Sequence, residues 1–425
     1  MYGLIGEHLT HSFSKEIHGK CAPYQYDLKE LAPHELEKFM KAAEFKAVNV
    51  TIPYKQAVMA YLHEIHPHAR RIGAVNTVVN RGGRLYGYNT DFYGMAGLIR
   101  HAGVDITGRK VLILGSGGTA RTARAVAEAL GAAEMIVVGR RAAEDVVTYD
   151  TAYTHHGDAE VLINTTPCGM YPYPDGTDGR SASPIDVSRF PQLVGVVDVV
   201  YNPIRTQLVQ EALSRGIPAE GGLYMLVGQA VVASRVFLGD DIQWAGNDPQ
   251  VIAAMDKVYE SVLREKENIV LTGMPGSGKT TVGKELSHLL GRPFFDTDTL
   301  VEAAAGKSIS CLFEELGEPG FRELESQAVR EAANRTGCII ATGGGAILRD
   351  DNVRALRRTG RIYFLDRDVE ALIPTEDRPL ASTVEDIRRR YAERYDRYVA
   401  TCHVQVVADG GVEDTVAKIR KEFGT

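Results

Sequence analysis

The chain is poor in cysteine, which removes one common way of holding a fold together. It has five cysteines among 425 residues, and no two of them form a C-x-x-C pair. They lie at Cys21, Cys168, Cys311, Cys338 and Cys402. A small, scattered and odd set predicts neither a disulfide framework nor a zinc site, and it is typical of proteins in a reducing compartment.

Long apolar runs are missing as well. No stretch approaches the roughly 18 consecutive apolar residues that a membrane-spanning helix requires. The first residues, Met1–Gly6, show neither the basic start nor the long apolar core of a signal peptide. We therefore expect a cytoplasmic protein without a membrane partner.

Positive charge is not in excess. The formal net charge is −7 at pH 7, so the protein as a whole does not attract nucleic acid or an anionic membrane. We expect small-molecule partners and no nucleic acid. Any site for phosphate must then be built locally, from a few backbone and side-chain donors.

The sequence does have an ordinary globular composition and a repeated alternation of short apolar runs with helical patterns. Hydrophobic residues make up 44% and charged residues 24% of it, and the length suits two or three domains at about 150 residues each. The alternation predicts α/β architecture with parallel sheets. The strand candidates are Ala47–Ile52, Lys110–Leu114, Met135–Val138, Val161–Ile163, Val194–Val200, Ile269–Thr272, Cys338–Ala341 and Arg361–Leu365.

One domain boundary is visible in the pattern. Asp256–Glu267 is helix-like, ends in the charged run Arg264–Glu267, and is followed at once by a new strand. A charged run of this kind is usually a solvated helix end, but this one separates two nucleotide-binding signatures. We place the junction near residue 265, with a very short linker.

A glycine-rich turn marks the first nucleotide signature. The strand Lys110–Leu114 runs directly into Gly115-Ser116-Gly117-Gly118-Thr119-Ala120, and a helix is predicted over Ala120–Leu130. In G-x-G-x-x-A, the glycines permit a tight turn and bring backbone N–H groups to a pyrophosphate at the helix N-terminus. The pattern predicts a dinucleotide site; the alternative is an ordinary strand-to-helix turn.

The end of the next strand indicates which dinucleotide. NAD sites usually place Asp or Glu here, where it accepts from the ribose 2′-hydroxyl. In this chain Met135–Val138 is followed by Gly139, Arg140 and Arg141. Two guanidiniums suit a 2′-phosphate because each offers a fixed fork of donors, so we predict NADP. The alternative is that both arginines are simply exposed.

Four segments near the N-terminus are rich in small polar side chains. Each taken alone could be a turn or a helix cap. Together they offer hydroxyls, amides, one lysine and one carboxylate, which is what a site for a polyhydroxylated carboxylic acid requires. The segments are His11–Ser14, Asn49–Lys55, Gly73–Thr77 and Tyr88–Asp91.

With three further segments they resemble the shikimate dehydrogenase family, in order, over roughly residues 1–262. The further segments are Asn164–Met170, Asp198–Pro203 and Gly222–Ala230. The resemblance implies a substrate-binding part, residues 1–95 plus 230–262, and a Rossmann NADP-binding part, residues 96–229, with Gly222 at the NADP site. It also implies that NADPH reduces 3-dehydroshikimate to shikimate.

The family's functional residues carry over position by position. By the resemblance, shikimate would be bound by Ser12, Ser14, Asn49, Thr51, Lys55, Asn76, Asp91, Tyr201 and Gln229. Ser12 and Ser14 would hold its carboxylate, and Lys55 and Asp91 would form the catalytic pair. Hydride transfer puts negative charge on the ketone oxygen, and a lysine beside it can stabilise that charge and donate a proton. Without the motif, Lys55 would be read as an exposed lysine after a strand.

Two positions depart from the family pattern. Lys15 stands where the family often has proline, which affects the carboxylate pocket. Gly139-Arg140-Arg141 replaces the usual Asn-Arg-Thr, which keeps the arginine in the middle. The prediction of NADP rests on that arginine.

The second nucleotide signature is a complete phosphate-binding loop. The strand Ile269–Thr272 leads into Gly273-Met274-Pro275-Gly276-Ser277-Gly278-Lys279-Thr280, and a helix follows to about Leu290. In G-x-x-x-x-G-K-T the backbone N–H groups cradle phosphates, the lysine reaches the β/γ oxygens and the threonine hydroxyl binds Mg²⁺. By itself the motif predicts a nucleoside triphosphate and no particular acceptor.

Five features beyond this loop indicate the acceptor. Phe294–Asp298 reads as a strand that ends in two carboxylates, Asp296 and Asp298, on one face. Arg322 lies on a helix, and three glycines, Gly343–Gly345, end another strand. The other two features are the polar loop Asp377-Arg378-Pro379-Leu380 and the pair Arg394 and Tyr398 on a charged helix. Each arginine alone would be read as a surface ion pair.

This set resembles the shikimate kinases over about residues 268–425, which implies a P-loop, nucleoside-monophosphate-kinase-like parallel α/β domain. ATP would be bound by Gly276, Ser277, Gly278, Lys279, Thr280, Thr281 and Arg378. Shikimate would be bound by Asp298, Arg322, Gly344, Gly345 and Arg394. Mg²⁺ would be held by Thr280 and, through water, by Asp296. The catalytic residues would be Lys279, Asp298 and Arg378, the last from a lid.

The two resemblances describe consecutive reactions, so we expect a bifunctional enzyme that makes shikimate with NADPH and then phosphorylates it with ATP. Three alternatives stay open at this point. The first half could act on quinate, the two halves could serve another pathway, or the fusion could be an inactive shikimate sensor. The sequence leaves the oligomeric state and the orientation of the halves open.

Overall fold

The computed structural model describes residues 1–9, 13–172, 182–240, 248–372 and 384–424. The chain forms two compact units, Met1–Val262 and Leu263–Thr425. Their division falls inside the helix Pro249–Lys266, next to the junction predicted near residue 265. In the described ranges, no helix combines the length and apolar character needed to cross a membrane.

The first unit begins with a mixed six-stranded sheet in the order β2-β1-β3-β5-β6-β4. Its strands are β1 (Tyr2–Gly6), β2 (Tyr26–Glu30), β3 (Ala47–Val50), β4 (Glu64–Ile65), β5 (Thr77–Arg81) and β6 (Arg84–Tyr88). Its helices are α1 (Ser14–Cys21), α2 (Leu36–Ala42), α3 (Pro67–Ile72) and α4 (Asp91–His101). The expectation of parallel sheets is wrong here, because β5 runs antiparallel to both β3 and β6.

A two-residue turn explains the antiparallel pair. Arg81 pairs with Arg84, and Gly82 and Gly83 between them have φ of +62° and +86°. Two successive positive φ angles are the geometry of a tight hairpin turn, and Gly-Gly between two strand patterns is its sequence signal. The hairpin could therefore have been predicted.

The second sheet is fully parallel, in the order β12-β11-β10-β7-β8-β9. Its strands are β7 (Lys110–Leu114), β8 (Glu134–Gly139), β9 (Val146–Thr148), β10 (Val161–Asn164), β11 (Gly195–Asp198) and β12 (Ala219–Glu220). The helices are α5 (Gly118–Ala129), α6 (Tyr149–His155), α7 (Gln207–Ser214), α8 (Leu223–Leu238) and α9 (Pro249–Lys266). Of the strands in this sheet, β7 comes first in the chain, and it lies centrally between β8 and β10, as in the doubly wound Rossmann arrangement.

Helix α8 follows the second sheet in the chain but packs on the first. Its residues Ala233, Val236 and Phe237 share a buried cluster with Leu4 of β1 and Ala47 of β3. We therefore propose that the first unit consists of a substrate-binding part, residues 1–95 plus 230–262, and a dinucleotide-binding part, residues 96–229.

The second unit is built on a parallel sheet in the order β14-β15-β13-β16-β17. The strands are β13 (Asn268–Thr272), β14 (Phe294–Asp296), β15 (Ile339–Ala341), β16 (Gly360–Asp366) and β17 (Val404–Val407). The helices are α10 (Lys279–Leu290), α11 (Thr297–Ala305), α12 (Ile309–Ala333), α13 (Asp350–Thr359), α14 (Val384–Thr401) and α15 (Gly411–Phe423). All eight strands proposed from the sequence are confirmed, with small shifts at their ends.

A buried histidine ties α1 to the first sheet. His18 is fully buried and stacks on Tyr26 of β2 with ring centroids 3.9 Å apart. Its Nδ1 lies 2.6 Å from the hydroxyl of Tyr24. Because burial penalises the imidazolium, the pKa of His18 is lowered to about 3.

His18 should make the first unit sensitive to acid. In the unfolded chain a histidine binds a proton below pH ~6.5, whereas the folded protein resists this until about pH 3. The free energy of unfolding should therefore fall as the pH drops below 6.5, by up to about 1.4 kcal/mol per pH unit from this residue. Denaturant unfolding of the wild type and of His18→Phe, followed by circular dichroism at several pH values, measures the difference in slope.

The second unit is identical in the wild type and in His18→Phe. Its contribution to the pH dependence of unfolding therefore cancels when the two slopes are subtracted. His34→Gln, at an exposed position, serves as the control and should keep the wild-type slope. An unchanged slope in His18→Phe would contradict the assignment.

Candidate active sites

In the first unit, most of the predicted substrate residues line one cavity of about 490 Å³. Five of them, Asn49, Thr51, Lys55, Asn76 and Asp91, come from the edge of the first sheet where β1, β3 and β6 end and where the antiparallel β5 begins. The second sheet adds Val199, which follows β11, and α8 adds Met225 and Leu226. The predicted residues on its wall are Ser14, Asn49, Thr51, Lys55, Asn76, Asp91, Tyr201 and Gln229.

Lys55 and Asp91 form an ion pair inside this cavity. Nζ of Lys55 donates to Oδ2 of Asp91 at 2.6 Å. Asp91 is the first residue of α4, where the helix dipole favours a carboxylate. The two side chains are 31% and 16% exposed, so the ammonium is held in place and can still meet a ligand in the cavity.

A buried layer of amides and hydroxyls supports the cavity wall. Oδ1 of Asn49 accepts from the Tyr26 hydroxyl at 2.8 Å, and its Nδ2 donates to Oγ1 of Thr77 at 3.1 Å. Oδ1 of Asn76 accepts from the backbone N–H of Thr90 at 2.7 Å, and its Nδ2 donates to Oγ1 of Thr90 at 3.1 Å. These hydrogen bonds hold both amides in place on the cavity wall.

The other predicted residues of this cavity come from helices and from the second sheet. Ser14 begins α1 and Gln229 lies within α8, and each is 8% exposed. Burial raises the pKa of the Tyr201 phenol, which keeps its hydroxyl able to donate. Gly222, predicted at the NADP site, lies on the wall of the same cavity just before α8. Ser12 lies outside the described residues.

The glycine-rich turn joins β7 to α5 as predicted. Gly115 has a φ of +105°, and a Cβ there would lie 2.7 Å from Oγ1 of Thr165, so no other residue fits. Ser116, Gly117 and Gly118 are exposed where α5 begins, and Ala120 is buried. Thr119 lines the cavity that holds Lys55, so the turn and the polar residues belong to one site.

The strand β8 ends at Gly139, which is buried, and Arg140 and Arg141 follow it. Both arginines are exposed. Within the described ranges, neither forms an ion pair with another residue. Two exposed guanidiniums that pair with no described carboxylate, beside a glycine-rich turn, are suited to a phosphate group.

In the second unit the phosphate-binding loop lies between β13 and α10. Nζ of Lys279 folds back over the loop and donates to the carbonyl oxygens of Gly273 and Met274 at 2.8 and 2.9 Å. Ser277 is 3% exposed, and Gly276 and Gly278 have positive φ. The loop thus presents backbone N–H groups at a helix N-terminus, which suits phosphate. Thr281 is exposed on α10.

The two carboxylates after β14 are arranged differently from the prediction. They were expected on one face of a strand, but β14 ends at Asp296 and α11 begins at Thr297. Asp296 caps this helix: its Oδ1 accepts from the backbone N–H of Asp298 at 3.0 Å. The cap satisfies a helix N–H that would otherwise be unpaired. Oδ2 of Asp296 also accepts from Oγ1 of Thr280 at 2.8 Å.

Three glycines after β15 lie where other groups leave no room for a side chain. A Cβ on Gly343 would be 2.5 Å from Oδ1 of Asp298, and one on Gly344 would be 2.9 Å from Cδ of Pro275 in the phosphate-binding loop. A Cβ on Gly345 would overlap Nη1 of Arg322. The Gly343–Gly345 backbone therefore brings the carboxylate, the phosphate loop and the arginine together.

The two predicted carboxylate-binding arginines differ in charge environment. Arg322 is 9% exposed and pairs with Glu325 and Glu318, each at 2.8 Å. Arg394 is 6% exposed and donates to the carbonyl oxygen of Gly344 at 3.3 Å. Arg394 forms no ion pair with a described residue. A buried cation normally has an anionic partner, so Arg394 is suited to the carboxylate of a ligand.

Comparison with known proteins follows the same division of the chain. Residues 4–78 match the family described as Shikimate dehydrogenase substrate binding domain, and residues 275–423 match Shikimate kinase. A shikimate dehydrogenase (NADP(+)) of Clostridium perfringens is 36% identical over 256 residues, which cover 56% of this chain and 92% of that relative. The chain belongs to the shikimate dehydrogenase family. Its second unit carries a shikimate kinase domain, so the chain is a bifunctional enzyme of the shikimate pathway.

Solved structures match the dehydrogenase unit. A chorismate mutase/shikimate 5-dehydrogenase fusion protein from Clostridium acetobutylicum is 34% identical, with 61% of this chain and 96% of that chain covered and a TM-score of 0.54. Shikimate 5-dehydrogenase from Thermus thermophilus, in complex with NADP(H) and shikimate, is 28% identical. The match covers 60% of this chain and 98% of that chain, with a TM-score of 0.50. The first unit therefore has the dehydrogenase fold over nearly the whole length of these proteins.

A second cavity, in the kinase unit, was missed by sequence reasoning. It measures about 450 Å³ and lies beside Ser277 and Gly278 of the phosphate-binding loop. Its other lining residues are Val282, Arg367, Asp368, Ala371, Ala408, Asp409, Gly411, Val412 and Thr415. They carry no motif, but most of them follow β16 or β17, and ligands of parallel sheets bind beyond the carboxyl ends of the strands. Arg378, which was predicted to come from a lid, lies outside the described residues.

Gly345→Ala should weaken the kinase selectively. The φ of Gly345 is −100°, which any residue adopts, so only the contact with Arg322 is disturbed. A displacement of ~1 Å at a positioning group can cost about 100-fold; we expect kcat/KM for shikimate to fall about 10- to 100-fold. Steady-state ADP release measures it, and dehydrogenase activity of the same preparation is the control. Unchanged kinase kinetics would show that Arg322 does not need its present position.

Proposed function

We propose that the dehydrogenase unit reduces 3-dehydroshikimate to shikimate with NADPH and that the kinase unit phosphorylates shikimate with ATP to 3-phosphoshikimate. The observation that carries the first half is the 2.6 Å pair of Lys55 and Asp91 in a cavity lined by hydroxyls and amides. The second half rests on the convergence of the phosphate-binding loop, Asp298, Arg322 and Arg394 around Gly343–Gly345.

In the dehydrogenase unit, Lys55 is the proton donor. When bound, NADPH supplies a hydride to the ketone carbon, and negative charge develops on the ketone oxygen. The ammonium of Lys55 stabilises that charge and transfers a proton to the oxygen, which gives the hydroxyl of shikimate. Asp91 holds Lys55 through the 2.6 Å hydrogen bond and orients the ring hydroxyl beside it. Ser14, with Ser12, holds the carboxylate of the substrate.

The residues of the dinucleotide turn fit NADP. The phosphates would meet the exposed start of α5 at Ser116–Gly118, where backbone N–H groups and the helix dipole favour anions. Arg140 and Arg141 would hold the 2′-phosphate. Thr119 lies on the substrate cavity, so a dinucleotide on this turn would reach the substrate.

In the kinase unit, Asp298 orients the attacking hydroxyl of shikimate and accepts its proton. Lys279 binds the β- and γ-phosphate oxygens and neutralises the charge that develops during transfer. Arg394, with Arg322, holds the carboxylate of shikimate. The cavity of about 450 Å³ beside Ser277 takes the nucleoside of ATP. Arg378 would join the site from the lid segment.

The residues near the phosphate loop fit Mg²⁺. Thr280 and Asp296 place a hydroxyl and a carboxylate oxygen 2.8 Å apart, and Mg²⁺ takes few protein oxygens and keeps several waters. When bound, the ion neutralises phosphate charge. Thr280 would bind it directly and Asp296 through water.

Two lysine variants should separate the two activities. Lys55→Met removes the proton donor and should lower NADPH oxidation with 3-dehydroshikimate by at least about 100-fold, while ADP release from shikimate and Mg-ATP persists. Lys279→Met should lower ADP release from shikimate and Mg-ATP, while NADPH oxidation with 3-dehydroshikimate persists. Absorbance of NADPH and coupled detection of ADP measure both, and each variant serves as the folding control for the other.

In the wild type, 3-dehydroshikimate with NADPH and Mg-ATP should give equal amounts of NADP and ADP. ADP release should stop when NADPH is left out and return when shikimate is added. Binding of shikimate without either reaction would contradict the proposal and would favour a regulatory protein. Oxidation of quinate at a rate similar to that of shikimate would assign the dehydrogenase a broader substrate.

Arg140→Ser together with Arg141→Ser should shift the dinucleotide preference. Charge-assisted hydrogen bonds contribute about 1.5–3 kcal/mol each, so KM for NADPH should rise about 10-fold or more. KM for NADH, which lacks the 2′-phosphate, should change little and is the internal control. An equal rise for both dinucleotides would mean that the arginines do not contact the 2′-phosphate.

A further inference from the structure

Arg390 lies one helical turn before Arg394 on α14. Residues four apart on a helix lie on the same face, with Cβ atoms about 5–6 Å apart. Arg390 is half-buried, and its Nε is buried without a hydrogen-bond partner among the described residues. No described carboxylate forms an ion pair with its guanidinium. Arg390 therefore offers donors and a positive charge that the described part of the fold does not use.

The charge of Arg390 acts on two residues of the candidate carboxylate site. The pKa of Glu318 is lowered, first by the hydrogen bond from Arg322 and then also by the positive charges of Arg390 and Arg394. The pKa of Arg394 is lowered, first by burial and in part by the positive charges of Arg390 and Arg322. Arg390 thus belongs to one group of charges, and we call Arg322, Arg390, Arg394, Glu318 and Glu325 the arginine cluster.

The arginine cluster borders the Gly343–Gly345 backbone. Nη1 of Arg394 donates to the carbonyl oxygen of Gly344 at 3.3 Å, and Arg322 lies against the last of the three glycines. Asp298 lies against the first of them. An acceptor bound over these glycines therefore has its reacting hydroxyl near Asp298 and its carboxylate near the cluster.

The arginine cluster carries one more positive charge than negative charge. Glu325 is buried and, like Glu318, accepts from Arg322 at 2.8 Å. The two carboxylates balance the charges of Arg322 and Arg394, so a pocket made of those four residues alone would be neutral. Arg390 adds one positive charge, and an acceptor with one ionised carboxylate restores neutrality. Since a charge removed from water needs a compensating partner, the cluster favours a monocarboxylate.

We propose that Arg390 is a third carboxylate-binding residue of the kinase unit, and that its charge makes the pocket selective for acceptors with one ionised carboxylate. The proposal rests on the kinase function proposed above and adds a binding residue to it. The guanidinium of Arg390 meets the carboxylate together with Arg394, while Arg322 stays paired with the two glutamates. A neutral ester of the same acceptor gains nothing from Arg390.

The test compares shikimate with methyl shikimate, in which the carboxylate is an uncharged ester. ADP release by the full-length protein is followed with Mg-ATP and without NADP, so that the dehydrogenase unit turns over no substrate. KM and kcat for shikimate are measured in the wild type, Arg390→Gln and Arg390→Lys, and methyl shikimate is measured as a competitive inhibitor. The control is Arg389→Gln, which removes the neighbouring exposed guanidinium and its ion pair with Asp386.

Arg390→Gln should raise KM for shikimate about 10-fold or more, because hydrogen bonds to charged groups are the strong ones. Its kcat, its KM for ATP and the inhibition constant of methyl shikimate should change by less than about 2-fold, since only uniform binding of the carboxylate is lost. Arg390→Lys keeps the charge but not the fork of donors, so KM for shikimate should stay within about 3-fold of the wild type. Arg389→Gln should keep every wild-type value.

An unchanged KM for shikimate in Arg390→Gln overturns the proposal. So does an equal loss of affinity for shikimate and methyl shikimate, because Arg390 would then act on packing and not on the carboxylate. Failure of the wild type to release ADP with shikimate would refute the kinase function itself, and this proposal with it.

Discussion

Hydrogen bonding within the buried sheets constrains where this protein can do chemistry. Inside a sheet the backbone donors and acceptors are used by neighbouring strands, and both faces are covered by helices. Free backbone N–H groups and polar side chains become available only where strands end and loops or helices begin. Both units follow this rule: Lys55 and Thr119 lie beyond β3 and β7, and Lys279 lies beyond β13.

Within that constraint, close approach of backbone decides how the kinase site closes. Asp298, the phosphate-binding loop and Arg322 come from three separate parts of the chain, and they meet because Gly343–Gly345 place no side chain between them. The same principle acts in the dehydrogenase unit, for example where Gly115 passes Thr165. At these positions glycine is required because a Cβ would collide with a neighbouring group, and not because of secondary-structure propensity.

The presence or absence of an ion-pair partner distinguishes cations that stabilise the fold from cations that are available to bind a ligand. Arg322 has two glutamate partners, whereas Arg394 is buried with a carbonyl oxygen as its partner. Lys55 has one carboxylate and partial exposure. A buried cation costs several kcal/mol unless an anion compensates it, so a negatively charged substrate gains most at Arg394. The amides of Asn49 and Asn76, by contrast, hydrogen-bond to neighbouring protein groups.

The sequence by itself determined the two nucleotide turns, the strands that lead into them and the residue types needed for each reaction, because these depend on local periodicity and on spacings of a few residues. It missed the hairpin at Gly82-Gly83 and misplaced Asp298, whose position depends on where a helix cap begins. Tertiary structure alone decided that Lys55 pairs with Asp91 at 2.6 Å and that Arg394 forms no ion pair with a described residue. These facts depend on contacts between residues far apart in the chain, which no local pattern encodes.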